Sequence, residues 1–437
     1  MAKSTLIALS TADAGVFSAG MRADSAQAAS EVLQENMENH HIFFNDQGFH
    51  NHIVHHILSI YALGASPEEI KAAYEHDKLY QRKPFPVDEN VVQAMSDKKK
   101  FEQFAGKENH YSNFLVYFQR ELDAKGVGPV LNEHLFAEDG HADDLLVRMF
   151  AGFLHPLIHL GFGVEFNQPA IVAEALAEAA VHDTWIGDFL LPAEKAAGSI
   201  GKHGEKTLVQ LLDEIRGNEK LVNSPHWPDG NKIRDGILKR APDEMIKYAG
   251  QYTISPDRLE EKLAEMVNFV VYYTTTAQRP PKQIKFDFFY MHCLNCSIFL
   301  PALFSIPSLS LGSKIRLLEW KGRMDLAMYV SRASPKLLLD DVTNYKSHKA
   351  WKAVFDSVVK LEDDGHVSKM TRAVAYGEKV CKPFEGGGKG KGFMIAGDMW
   401  LNIGNMVIDS AESPEERWVR STGFDEAWSK FENRPRQ

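Results

Sequence analysis

The sequence predicts an all-α fold, a large multi-helix bundle around a single core. Three observations carry that prediction. Apolar residues recur at helical spacing through most of the chain. Helix start and stop signals are frequent. No convincing run of period-two strands and no exact internal repeat interrupts the pattern.

Taken in order, residues 1–23 read as a loosely structured arm, and 24–437 as one helical catalytic domain with no clear linker. Ser25–Asn39 reads as a helix. Phe49–Ser66, FHNHIVHHILSIYALGAS, follows, with Ile53, Ile57, Ile60 and Tyr61 at helical spacing and Gly64 as a stop. Ser66 as N-cap, Pro67 at N1 and Glu69 at N3 form a capping box. KPFPVDEN, residues 83–90, is a turn-rich crossing. Helical patterns return at Ser112–Leu122, Asp143–Leu160 and Pro169–Val181. Residues 183–240 are mixed, contain the loop HWPDGN and leave room for a short sheet. Ser255-Pro-Asp opens a helix to about Thr275, and Phe286–Phe304 is strongly apolar. Lys314–Arg332, Ala350–Leu361 and Val367–Lys382 read as helices. A glycine-rich loop at 385–392, a helix at Met394–Ile408 and a short amphipathic tail end the chain.

Composition narrows the function classes. The 437 residues are 44% hydrophobic and carry a net charge of −10, which argues against a general nucleic-acid binder or a polybasic membrane protein. No segment reaches the ~18 uninterrupted apolar residues of a membrane helix. The N-terminus is too short in its apolar run for a secretory signal, so a cytoplasmic location is expected. Three cysteines in so long a chain suggest a reducing compartment rather than a disulfide framework. Cys293 and Cys296 form a CxxC without a second ligand pair or a βαβ context, and read as buried helical thiols.

The histidines carry the chemistry. His50, His52, His55 and His56 fall within seven residues. His52 and His56 stand at i, i+4, a spacing at which two imidazoles on one helix face can hold a metal ion. His50 and His55 are expected to point elsewhere, as supporting or exposed residues. His155 and His159 repeat the spacing in an apolar helix that Pro156 should kink. His155 could equally bond a carbonyl that the proline frees. Gly161 and Gly163 allow close backbone approach. His292 is a single histidine in an apolar helix, of interest as a partner for the two pairs. His366 and Lys369 sit at i, i+3 at a helix start.

Other signatures fail. EGGGKGKGF has Gly392 where a phosphate-binding loop needs Ser or Thr, and no GxGxxG follows a strand, so no nicotinamide or flavin fold is visible. Asp143 of His141-Ala-Asp143 looks like a helix N-cap rather than part of a facial triad. Gly140 interrupts the ExxH at Glu138–His141.

The segments HNHIVHH, HPLIHLGFGVEFNQP, FFYMHCLNCSIFLPAL and DDGHVSKMTRA resemble the questin oxidase-like family, and the resemblance runs from about residue 40 to 410. It implies a fungal enzyme of polyketide secondary metabolism that opens the central ring of an anthraquinone. Members have been described as NADPH-dependent Baeyer–Villiger oxidases, and also as mononuclear non-haem iron dioxygenases. In the second account four histidines and a carboxylated lysine hold Fe(II). The missing dinucleotide signature favours it. Carried onto this chain, the resemblance implies Lys369 as the lysine bearing a CO2-derived carbamate. It implies His52, His56, His159 and His292 as the imidazoles, with His155 and His366 as alternates. The sequence departs from the family around Cys293, Asn295 and Cys296, which bears on substrate identity.

The expected activity is therefore oxidative opening of an anthraquinone or its hydroquinone by O2. A separate NADPH-linked reductase would supply the hydroquinone. Phe43, Phe44, Phe288, Phe289 and Tyr290 are consistent with a flat apolar pocket or with core packing. The competing readings are an NADPH-dependent Baeyer–Villiger oxidase, a non-catalytic helical polyketide-binding protein and, more weakly, a hydrolytic zinc enzyme. Oligomeric state is not legible.

Overall fold

A computed structural model describes residues 3–13, 15–199, 206–387, 392–413 and 416–434. The architecture is all-α. Among the described residues the strands are limited to Phe286–Asp287 and Trp418–Val419, paired parallel with Phe286 opposite Trp418. The short sheet therefore lies outside the mixed 183–240 stretch, which instead holds helices at Gly187–Gly198 and Leu208–Arg216 and a π-helix at Lys232–Ile237.

The chain gathers into two compact units. The first is Met1–Thr184, Phe299–Ser310 and Phe355–Arg372. The second is Trp185–Ile298, Leu311–Val354 and Ala373–Gln437. Each is assembled from separated segments, which is why no linker is visible in the sequence.

In the first unit the N-terminal arm is irregular up to the helix Ala23–Asn39, yet it is tied down. Backbone N–H groups of Ile7, Ala8 and Val16 donate to Gln34, Gln168 and Glu165 at 2.9, 2.9 and 2.7 Å. Arg372 donates to the Phe17 carbonyl and pairs with Glu165, both side chains fully buried. The histidine helix is Ile53–Ala62, and every residue of it is buried. Ser66 and Glu69 form the expected capping box on Pro67–Asp77. Two short helices, Glu89–Ala94 and Lys98–Phe104, capped by Asp88 and Asp97, begin at the end of the crossing at 83–90 and run through a stretch to which the sequence assigned no element. Pro169–Val181 forms with the expected bounds. It lies against Ala151–Glu165, where a Cβ on Gly163 would meet the Val172 nitrogen at 2.7 Å. Close approach is thus what that glycine permits.

In the second unit Leu259–Thr276, Phe288–Ser297 and Leu311–Ser331 form the core, with Trp320 and Trp400 fully buried. Cys293 and Cys296 are free, buried helical thiols. The last long helix is Met399–Glu412, shifted from the expected Met394–Ile408 because Asn268 binds the backbone at Met394 and Ile395 in a non-helical approach. Of the glycine-rich loop, 388–391 lie outside the described residues. Among the described residues no single helix is long and apolar enough to cross a membrane.

Candidate metal centre

His52 sits at the boundary of the histidine helix, with φ −96° and ψ 0°. Its Nδ1 bonds Asp364 Oδ2 at 3.2 Å, and its Nε2 faces His155 Nε2 at 2.9 Å. His155 is placed by a break in its own helix. Gly152, Phe153 and Leu154 all adopt left-handed backbone, with φ of 52°, 57° and 71°. The segments Gly140–Met149 and Ala151–Glu165 consequently turn by 95°. The distortion was expected at Pro156 and occurs two to four residues earlier. The physical reason is that a proline ring collides with the carbonyl four residues back and offers it no N–H. That carbonyl, on Gly152, is taken by His155 Nδ1 at 2.5 Å. Consecutive left-handed L-residues cost roughly 1–2 kcal/mol each, a strain that the surrounding packing sustains here.

His366 opens the helix His366–Cys381. The turn before it is built by Asp363, whose carboxylate accepts from the Gly365 and Val367 N–H groups at 2.8 and 2.9 Å. Gly365 has φ +84°, and a Cβ there would lie 2.6 Å from the Cα of His56. Asp364 then reaches both ways, with Oδ2 to His52 and Oδ1 to His366 Nδ1 at 2.5 Å.

Each of the three Nδ1 atoms thus donates to an oxygen. That assigns the remaining lone pairs to Nε2. The donor atoms of His52, His155 and His366 all lie within 4.8 Å of one another. Lone pairs of His52 and His155 that face each other at 2.9 Å repel unless a proton or cation lies between them. Imidazoles oriented through Nδ1 by a carboxylate or carbonyl are the usual arrangement of metal-bound histidine.

Beside them lie His55 and Lys369. His55 is fully buried, stacks on Phe162 at 5.4 Å and has no hydrogen-bond partner on either nitrogen. Its burial sets aside the exposed half of the expectation, since every residue of the helix is enclosed. Lys369 Nζ is buried without a hydrogen-bond partner. Burial lowers the Lys369 pKa to about 8, against the opposing pull of Asp364, Asp363 and Asp77. Burial and then the Lys369 charge push His52 down to about 4 and His55 well below its usual value. Burial works against the charge on Asp364, but His366 and His52 hold its carboxyl well below the usual range.

Of the other predicted residues, His56 and His292 turn elsewhere, whereas His159 packs beside His55 with ring centroids 5.2 Å apart. His56 lies one turn from His52, yet its Nδ1 bonds Asp77 at 2.7 Å and its Nε2 faces Asp363 at 3.8 Å. Burial opposes the proton on His56, and Asp77 more than restores it. His159 lies between Glu174 and Glu178, at 3.6 and 3.5 Å. His292 is in the second unit, with Nδ1 on the Phe288 carbonyl at 2.7 Å. A cavity of about 410 Å³ in the second unit, lined by Ile284, Tyr345 and Met406 among others, holds no histidine.

The chain matches the questin oxidase-like family over residues 49–374. The chain belongs to that family. Within it, the Baeyer–Villiger oxidase ptaJ of Pestalotiopsis fici is 40% identical over 414 residues, covering 93% of each chain. A questin oxidase of Aspergillus terreus is 37% identical over 439 residues, covering 98% of each. The Baeyer–Villiger monooxygenase dmxR6 of a Cryptosporiopsis species is 37% identical over 424 residues, covering 94% of this chain. This questin oxidase-like chain is an oxidoreductase.

The residues of this family member fit a bound divalent ion. A donor atom from each of three histidines converges, and a buried lysine amine without a hydrogen-bond partner and with a lowered pKa stands beside them. Such an amine is a nucleophile toward CO2, and its carbamate is an anionic oxygen ligand. Sequence reasoning overlooked Asp364 and Asp77, which orient His52, His366 and His56. The signal for Asp364 was present in the consecutive carboxylates of DDGH, next to a glycine and a histidine.

Proposed function

We propose that this chain is a non-haem iron dioxygenase that opens the central ring of an anthraquinone, questin-like, acting on its hydroquinone. The observation that supports this most is the convergence of donor atoms from His52, His155 and His366 beside the buried Lys369. His52, His155 and His366 would hold Fe(II). Lys369, as its CO2-derived carbamate, and His55 complete the set. The geometry favours this choice over His56 and His292, and His159, beside His55, stands as the alternate. When bound, Fe(II) in an imidazole and carboxylate environment supplies an open position and the electrons to activate O2.

The chain's own residues do the rest. Asp364 holds protons on the Nδ1 atoms of His52 and His366, and the Gly152 carbonyl holds the one on His155. Phe162, stacked on His55, excludes water from that side. The hydroquinone takes up one O2, both oxygen atoms stay in the product, and a ring carbon–carbon bond breaks. Forming the hydroquinone takes two electrons from NADPH, through a separate reductase. The substrate is an aromatic polyketide of secondary metabolism, as the questin oxidase name borne by relatives suggests.

The relatives' names favour one further reading, an NADPH-dependent Baeyer–Villiger insertion. Turnover with isotopically labelled dioxygen separates the two. The dioxygenase retains both labelled atoms, whereas a Baeyer–Villiger insertion retains one and consumes NADPH in the same vessel. Elemental analysis of untagged protein should find iron, and Lys369→Met should lose both iron and ring opening. Labelled bicarbonate should give a carbamate carbon resonance in the parent protein and none in Lys369→Met. Full activity of Lys369→Met would remove the carboxylated lysine from the mechanism.

A further inference from the structure

Next to the proposed centre lies a second set of metal donors, from residues that it does not use: His50, His182 and Glu178. Their donor atoms all lie within 4.8 Å of one another. His50 Nε2 is 2.7 Å from His182 Nε2 and 3.6 Å from Glu178 Oε1. Glu178 is 1% exposed, and neither of its carboxylate oxygens has a hydrogen-bond partner. A carboxylate so placed must hold a proton or a cation, because burying it bare costs several kcal/mol. The second carboxylate on the same helix, Glu174, raises the demand for positive charge.

The pocket is built rather than incidental. Left-handed Gly152 lies beneath the two rings, where a Cβ would come within 2.6 Å of His182 and 2.8 Å of His50. Phe43 packs on both rings, edge to face, with centroids 5.3 and 5.2 Å away. Two imidazoles and one carboxylate suit a first-row divalent ion such as Fe(II), Mn(II) or Zn(II), with positions left open.

We propose that His50, His182 and Glu178 form a second divalent transition-metal site. It stands against the first through the His50 ring, stacked on His155 with centroids 3.8 Å apart and planes 4° from parallel. Glu178 Oε2 also lies 3.5 Å from His159, so the same carboxylate ties that histidine to the second site.

The test is metal stoichiometry, which does not depend on activity. Apo full-length protein is titrated with Co(II), and bound metal is counted after desalting and followed by its visible absorption. The parent chain should bind about two equivalents, while His182→Asn and Glu178→Gln each bind about one. His366→Ala, which disrupts the first centre, should also bind about one. Circular dichroism reports folding, and the near-isosteric Glu178→Gln decides the matter if His182→Asn does not fold. Binding of one equivalent by the parent and by both second-site variants would overturn the proposal, as would two equivalents in both of those variants. One equivalent in the parent, lost in His182→Asn or Glu178→Gln but kept in His366→Ala, would sustain the second site and defeat the first.

Discussion

At the scale of single residues, Asp364 has the most to do. Its two oxygens fix two imidazoles from opposite ends of the unit's sequence, His52 and His366. A carboxylate accepts from both. An asparagine accepts with one atom and donates with the other, so one ring would meet an N–H with its own N–H and turn away. Asp364→Asn should therefore weaken metal binding about 10–100-fold, the usual effect of losing such an outer partner. Competition with a chelator measures this directly, with circular dichroism unchanged. Equal affinity would show that packing alone aims the rings.

At the scale of elements, two turns set the centre. The left-handed turn at Gly152–Leu154 redirects the helix that carries His155, and the turn at Gly365 starts the helix that carries Lys369. Gly365→Ala combines a positive φ with a Cβ 2.6 Å from the His56 backbone. It should destabilise by roughly 2–4 kcal/mol, from left-handed strain and overpacking together. Gly140 supplies the control, since nothing lies within 4 Å of its added Cβ. Gly140→Ala should leave the thermal midpoint near that of the parent while Gly365→Ala lowers it and loses metal. Equal midpoints for the two variants would mean that the turn relaxes freely.

At the scale of the molecule, the first unit is drawn from three separated stretches of chain, and a buried ion pair joins the last of them to the first and to its N-terminal arm. Arg372 meets Glu165 and the Phe17 carbonyl, while Glu165 also accepts from Val16. Replacing one partner of a buried pair leaves the other charge without compensation, at about 3–5 kcal/mol. Arg372→Met should lower the denaturant midpoint by that measure and expose the arm to protease, whereas Arg372→Met with Glu165→Leu should recover most of the loss. If the double variant is as unstable as the single one, the contribution of Arg372 lies in the Phe17 bond rather than in the charge pair.

The sequence by itself determined the all-α class, the capping box at Ser66, the bounds of Pro169–Val181, the close approach at Gly163 and the helix start at DDGH. These follow from local chemistry: periodicity, a capping hydroxyl, a missing side chain. It also singled out the two histidine pairs and Lys369 as the chemical residues. Which imidazoles meet was decided only by tertiary structure. The His52 ring is aimed by a carboxylate 312 positions away and faces a histidine 103 positions away, and no local pattern encodes such distances. Within one turn of helix His52 and His56 diverge, because Asp364 draws one and Asp77 the other. His55 looked supporting or exposed by spacing and is fully buried, since its helix is enclosed on every side.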